Sequence, residues 1–240
     1  MILSRRAGRP VARSVAVAGL ATVGLLLSGC GGSLGVHPGS AAVVGSETLS
    51  MNKIDDTTKL YCQAYLPQIQ QSQQGVIPLR LLRQFVAASL SQHLLGQQLA
   101  TQYAVAPGSA YANHMNQVAS QFASAAPDVK RAVLEVEGGN PYLQNVQVAI
   151  GRKLMAASGQ KGGVQAALQR GQVATQDWLK THPITLDPVF GVAVDNGQFK
   201  PATGDDTSYP LSPLASAGAN TGGQPSQAYT SQLSAAQVCG

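Results

Sequence analysis

The sequence predicts a mainly α protein, a helical bundle of about five to six helices with a small antiparallel β element formed by N- and C-terminal strands. Between Ser50 and His182 apolar residues return every three to four positions, the period of helices with one buried face. Two-residue alternation is confined to the stretches before Ser50 and after Pro183. Aromatic residues make up 5% of the chain, so the core joining these elements is expected to be mostly aliphatic.

The chain starts basic, with Arg5, Arg6, Arg9 and Arg13 and no acidic residue before Glu47. Ser14 to Leu27 follows without a charge, long enough for the apolar region of a signal peptide and short of the ~20 residues that span a bilayer. It ends in Leu27, Ser28, Gly29 and Cys30, four positions that resemble the lipobox of bacterial lipoproteins, where small residues fit the signal peptidase and the thiol receives diacylglycerol. The resemblance implies a removed leader at 1–29, a lipidated Cys30, and a mature chain anchored on the extracytoplasmic face of the cell membrane. More than one acyl chain is the condition for stable attachment. The competing reading is a plain secretory signal with an incidental cysteine near its cleavage site. Residues 30–40, rich in Gly and Ser, read as a flexible tether of roughly 18 Å root-mean-square reach.

Removal of the leader takes the basic residues from 16 to 12 against 11 acidic ones, so the mature chain carries +1. The pI of 9.2 is therefore mostly a property of the leader, and no argument for nucleic acid as a partner follows from it. The 211 residues from Cys30 to Gly240 are enough for one sizeable core.

Residues 41–210 are expected to form the folded domain. Ala41 to Val44 and Glu47 to Leu49 read as two short strands around a turn at Gly45 and Ser46. Ser50 is a plausible N-cap for a helix with Met51, Ile54, Tyr61 and Tyr65 on one face, broken by the Gln-rich stretch from Gln68 to Gly75. From Pro78 to Tyr103 apolar residues cover most of a helical wheel, leaving Arg80, Gln84, Ser91 and Gln98 as a narrow polar stripe; such a helix belongs at the centre of a bundle. After Pro107 and Gly108, Tyr111, Met115, Val118 and Phe122 mark an amphipathic helix. Pro127 opens a shorter helix that Gly138 and Gly139 are expected to close, and Asn140 and Pro141 start another, carried by Leu143, Val146, Ile150 and Leu154. A last helix runs from about Val164 to His182 and stops at Pro183. Phe190, Val192 and Val194 then alternate before Asn196 and Gly197, a hairpin signal, with Phe199 on the far side. Residues 211–240 read as a low-complexity tail, disordered from Leu214 to Gln237 and ending in Cys239.

The four histidines, His37, His93, His114 and His182, stand far apart with no carboxylate or cysteine at ligand spacing, so no metal site is called, and no cofactor. His93 and His114 read as partly buried helix residues. No nucleophile elbow, phosphate loop or dinucleotide fingerprint occurs, and the chain is not read as an enzyme. Cys62 and Cys239 form an even pair in a chain that leaves the cytoplasm, which points to a disulfide; two free thiols are the alternative.

The order of elements and several local strings resemble the N-terminal domain of SurA-type periplasmic chaperones and PrsA-type foldases: Ala41, Ala42, Val43, Val44, Gly45; the helix after Ser50; Leu81, Leu82, Arg83, Gln84, Phe85; Tyr103, Ala104, Val105; and the shorter helices to Leu154. That family closes its module with a helix and a returning strand, here Trp178 and Leu179 and then Leu186 to Val194. The resemblance covers roughly Ala41 to Val194. Larger foldases insert a parvulin-type prolyl isomerase domain before the closing helix, whereas this chain has only the loop Ser158 to Gly163. What the resemblance implies is a holdase or folding assistant that binds unfolded exported proteins, without isomerase activity. The second reading is a structural or adaptor lipoprotein that docks one envelope protein. An exposed apolar patch would serve either, and the apolar stripes, Met115 and Phe122 included, read first as core.

Overall fold

A computed structural model describes residues 39–72, 75–202, 210–219 and 225–240. The expected leader, Cys30 and the tether up to residue 38 lie outside the described residues.

β1 (Ser40–Val44) and β2 (Glu47–Ser50) pair antiparallel, with Val43 opposite Thr48, around Gly45 at φ +57°. Ser50 caps α1 (Met51–Gln71): its hydroxyl accepts from the Lys53 amide at 3.2 Å, satisfying one of the orphan donors of a helix start. β3 (Ile77–Pro78), α2 (Leu79–Tyr103), α3 (Ser109–Gln121), α4 (Pro127–Ala157) and α5 (Val164–Leu179) follow. β4 (Ile184–Leu186) then returns to the free edge of β1, giving the order β2-β1-β4. β5 (Val192–Asp195) and β6 (Gln198–Pro201) form the hairpin expected at Asn196 and Gly197, both of which take the positive φ its turn requires. α6 (Pro213–Ala219), α7 (Gln227–Thr230) and β7 (Val238–Cys239) complete the chain, and β7 pairs antiparallel with β3. The architecture is thus a helical bundle with small antiparallel sheets that join N- and C-terminal segments.

α2 and α4 are the long central helices, and each contributes to two apolar clusters. Leu82, Val86 and Leu90 meet Val133 and Val136 together with Ile54 of α1 and Val118 and Phe122 of α3. One or two turns on, Leu95 and Leu99 meet Leu143, Val146 and Ile150 together with Ala174 and Trp178 of α5. The two helices therefore run in the same direction, and α3 is the return between them.

α4 corrects the expected pair of helices at this place. It runs unbroken through Gly138, Gly139 and Pro141. The glycines serve close packing rather than termination: a Cβ on Gly139 would overlap the backbone carbonyl and hydroxyl of Ser89, and that hydroxyl donates to the Val136 carbonyl. Pro141 lacks the N–H that would bond the Glu137 carbonyl, and His114 Nε2 stands 3.3 Å from that oxygen. α1 likewise continues through Pro67 to Gln71, into the Gln-rich stretch expected to break it.

The polar stripe of α2 is not a solvated face. Arg80 donates to the Gly218 carbonyl at 2.7 Å, Gln84 to the Gly191 carbonyl at 2.7 Å, and Gln98 to the Val44 carbonyl. Each long side chain holds a carbonyl of a neighbouring segment, and Ser91 is fully buried. Phe190, expected in the strand of Val192 and Val194, lies in a 3-10 turn over Pro188–Phe190 and is buried, with the Arg83 guanidinium 5.5 Å from its ring centroid.

The tail corrects a second expectation. Where disorder was expected, the described residues form α6, α7 and a 3-10 turn over Ala235–Gln237, with Tyr229 and Thr230 buried. Composition gives this segment little apolar area of its own; it is held at its C-terminal end, where β7 pairs with β3 and Cys239 bonds Cys62 of α1, and at Gly218, whose carbonyl accepts from Arg80.

Candidate functional site

The Cys62–Cys239 pair forms a disulfide with a Cα–Cα distance of 5.8 Å, well inside the range that geometry allows. Cys62 lies on the face of α1 turned towards the tail. Cys239 is 1% exposed and opposes Ile77 in the β3–β7 ladder, so strand pairing and cross-link fix the same point. Of the three cysteines singled out in the sequence, these two are brought together, and Cys30 lies outside the described residues.

A separate, mostly apolar groove of about 440 Å³ opens between α2, α3 and α4. Its floor and walls are His93, Tyr111, Met115 and Leu134, all half-buried. The stripe Tyr111, Met115, Val118, Phe122 divides along α3: Val118 and Phe122 enter the core, whereas Tyr111 and Met115 face the groove. Tyr111 packs edge-on against Tyr142 at 5.2 Å between centroids, and His93 lies 4.6 Å from the same ring. Tyr142 thus packs behind both wall rings.

Burial pulls the His93 pKa below its usual value, against smaller upward effects of the Glu135 charge and the Gly138 carbonyl. The imidazole is neutral at neutral pH, and its Nδ1 is buried without a hydrogen-bond partner among the described residues. Lys130, Arg131 and Glu135, all of α4, bring charge to the lining, and Glu135 is engaged by Lys53 at 2.5 Å. The groove therefore offers apolar area under a mixed charged rim.

Beneath it, Tyr61 and Tyr65 of α1 both donate to Oε1 of Glu137, at 2.5 and 2.7 Å. Burial, then the hydrogen bond and charge of Glu137, push the Tyr65 phenol up to about 12 and raise Tyr61 further. The cluster ties α1 to the α4 surface beside the groove.

The remaining described histidines are structural in their contacts. His114 covers the carbonyl freed by Pro141, and His182 stacks on Trp178 at 4.3 Å. Among the described residues no three His, Cys, Asp or Glu side chains are grouped to hold a metal ion. The available sequence signal for the groove was Leu134, an apolar residue outside the buried stripe of Val129, Ala132, Val133 and Val136.

No family model, no curated protein and no solved structure matches the chain.

Proposed function

We propose that the protein is a lipid-anchored, extracytoplasmic chaperone-like lipoprotein that holds unfolded exported proteins in the groove between α2, α3 and α4. The observation that carries the reading is the groove itself, whose half-buried wall of Tyr111, Met115 and Leu134 is apolar and open on one side. Extended apolar segments of a client gain from covering such a surface roughly in proportion to area, with little demand on sequence. The sequence resemblance to SurA-type chaperone modules supports the same assignment; the strand that returns to β1 is β4, whereas most of the Leu186 to Val194 segment expected to return forms the 3-10 turn and β5, which pairs with β6 instead. Prolyl isomerisation has no place in the proposal, because the parvulin-type insert of the larger foldases has no counterpart in the loop Ser158 to Gly163.

Breadth of binding tests it. The mature chain is expected to retain many unrelated unfolded peptides weakly on an array, with apolar and aromatic segments enriched. Capture of one folded envelope protein in fixed ratio, and none of the peptides, would give the adaptor reading instead.

Anchoring is tested separately. Cys30→Ala is expected to abolish acylation, leaving unprocessed precursor or protein in the soluble fraction. Detergent partition and intact mass read this, and aqueous wild-type protein without added acyl mass would contradict it.

A further inference from the structure

A second concavity, of about 310 Å³, lies between α2, α4, α5 and the β5–β6 hairpin, away from the α3 groove. Four elements send amides into it: Gln92 from α2, Gln144 and Gln147 from α4, Gln172 and Gln176 from α5, and Gln198 from β6. On each of α4 and α5 the two glutamines are one turn apart and share a face.

The back wall is fixed. Gln147 is buried, and its Nε2 donates to Thr175 Oγ1 at 3.2 Å, while Thr175 donates to the Gly171 carbonyl at 2.9 Å. α4 and α5 can approach this closely because a Cβ on Gly171 would overlap the Gln147 carbonyl. The front is available: among the described residues the side-chain amides of Gln92, Gln172, Gln176 and Gln198 make no hydrogen bond to protein. Lys200 is the one charged residue of the lining, and its Nζ is 2.9 Å from Asp195 Oδ2. Leu143 and the half-buried ring of Phe199 supply the apolar part.

We propose that this amide-lined cleft binds a neutral oligosaccharide. A primary amide places donors and an acceptor on one planar group, which suits neighbouring hydroxyls that each donate and accept. An anion would find its only cation already paired, and a cation would find no carboxylate in the lining. An apolar ligand would strip water from amides it could not satisfy. The C–H face of a sugar ring packs on Phe199, and the volume is that of a small-ligand site. An extended peptide would need apolar pockets for alternate side chains, which this lining lacks.

The test is calorimetric titration of the mature chain with maltotriose, cellotriose and triacetylchitotriose, alongside a heparin tetrasaccharide and a neutral hexapeptide. At least one neutral trisaccharide is expected to bind, more tightly than either comparator. Gln144→Ala with Gln176→Ala is expected to weaken it by about tenfold or more, whereas Met115→Glu in the α3 groove leaves it unchanged. If the double variant does not fold, the exposed single variant Gln172→Ala carries the same expectation in smaller degree. Absence of binding by all three trisaccharides at millimolar concentration, tighter binding of the peptide or the heparin fragment, or indifference to the amide substitutions would overturn the proposal. The titration does not depend on holdase activity, so either assignment can fail alone.

Discussion

Glu137 shows how a single side chain organises its surroundings. Two phenols share one of its oxygens, and the fold keeps both protonated, because burial and a neighbouring carboxylate oppose the formation of phenolate. A phenol whose folded pKa is raised above its ordinary value near 10 contributes stability that is complete below that value and is lost as pH rises through 10 towards 12. Ultraviolet titration of the folded protein is therefore expected to show tyrosines that ionise well above pH 10, fewer of them once Tyr61 and Tyr65 are replaced by Phe, and unfolding midpoints that fall across the same window. Ionisation of all tyrosines together, with the fold retained, would contradict the cluster. At the groove, His93 carries the opposite dependence: its lowered pKa favours the neutral ring in the fold, so its contribution is complete above about 6.5 and declines as pH falls below it.

Between elements, the decisive contacts are those that side chains leave room for. Gly151 of α4 faces Ala167 of α5, and Gly171 of α5 faces the Gln147 backbone, so the two helices pack backbone against backbone at two successive turns. Gly151→Ala is expected to destabilise the protein by about 1–3 kcal/mol in denaturant unfolding, because the obstructing atom is a main-chain carbonyl that cannot rotate away. Gly163→Ala, with open space around the same methyl, is expected to cost under about 1 kcal/mol. An equal effect of the two would remove the packing argument.

The same contacts explain what the sequence made legible. Periodicity located α2, α3 and α5 and the strands β1, β2, β5 and β6, since each depends on its own pattern and its own turn residues. It misjudged Gly138 and Gly139, because a glycine that ends a helix and a glycine that admits a neighbouring helix look identical until the neighbour, here Ser89, is placed. It placed the helix carrying Arg80, Gln84, Ser91 and Gln98 at the centre of the bundle but not the partners of its stripe, since Arg80, Gln84 and Gln98 are met by carbonyls of segments distant in the chain. Of the candidate sites, the cysteine pair was legible from the cysteine count together with the export expected of the chain. The α3 groove was not, because Tyr111 and Met115 carry the same spacing as Val118 and Phe122, and only packing separates lining from core.

Over the whole molecule, one cross-link spans most of the folded chain. The disulfide separates its cysteines by 177 residues and ties the last strand to the first helix, turning a segment poor in apolar residues into an ordered strap over α1 and α2. In the chain-entropy view a loop of this length constrains the unfolded state by up to about 5 kcal/mol. Reductant, or Cys239→Ser, is expected to lower the unfolding free energy by a few kcal/mol, and hydrogen exchange is expected to rise first in residues 225–240. Unchanged stability and unchanged protection of that segment on reduction would contradict the role given to the cross-link.

The most direct test of the proposed function is light scattering by an unfolded client diluted into buffer with increasing mature protein, with and without Leu134→Glu in the groove. The wild type is expected to slow aggregation of several unrelated clients in proportion to its concentration, without ATP and with little change on adding salt, since residues 30–240 carry a formal charge of only +1. The variant, its disulfide and unfolding midpoint retained, is expected to lose most of that effect. A wild type that leaves every client to aggregate at its own rate, or a variant that protects as well as the wild type, would contradict the assignment of the groove between α2, α3 and α4 as a holdase surface.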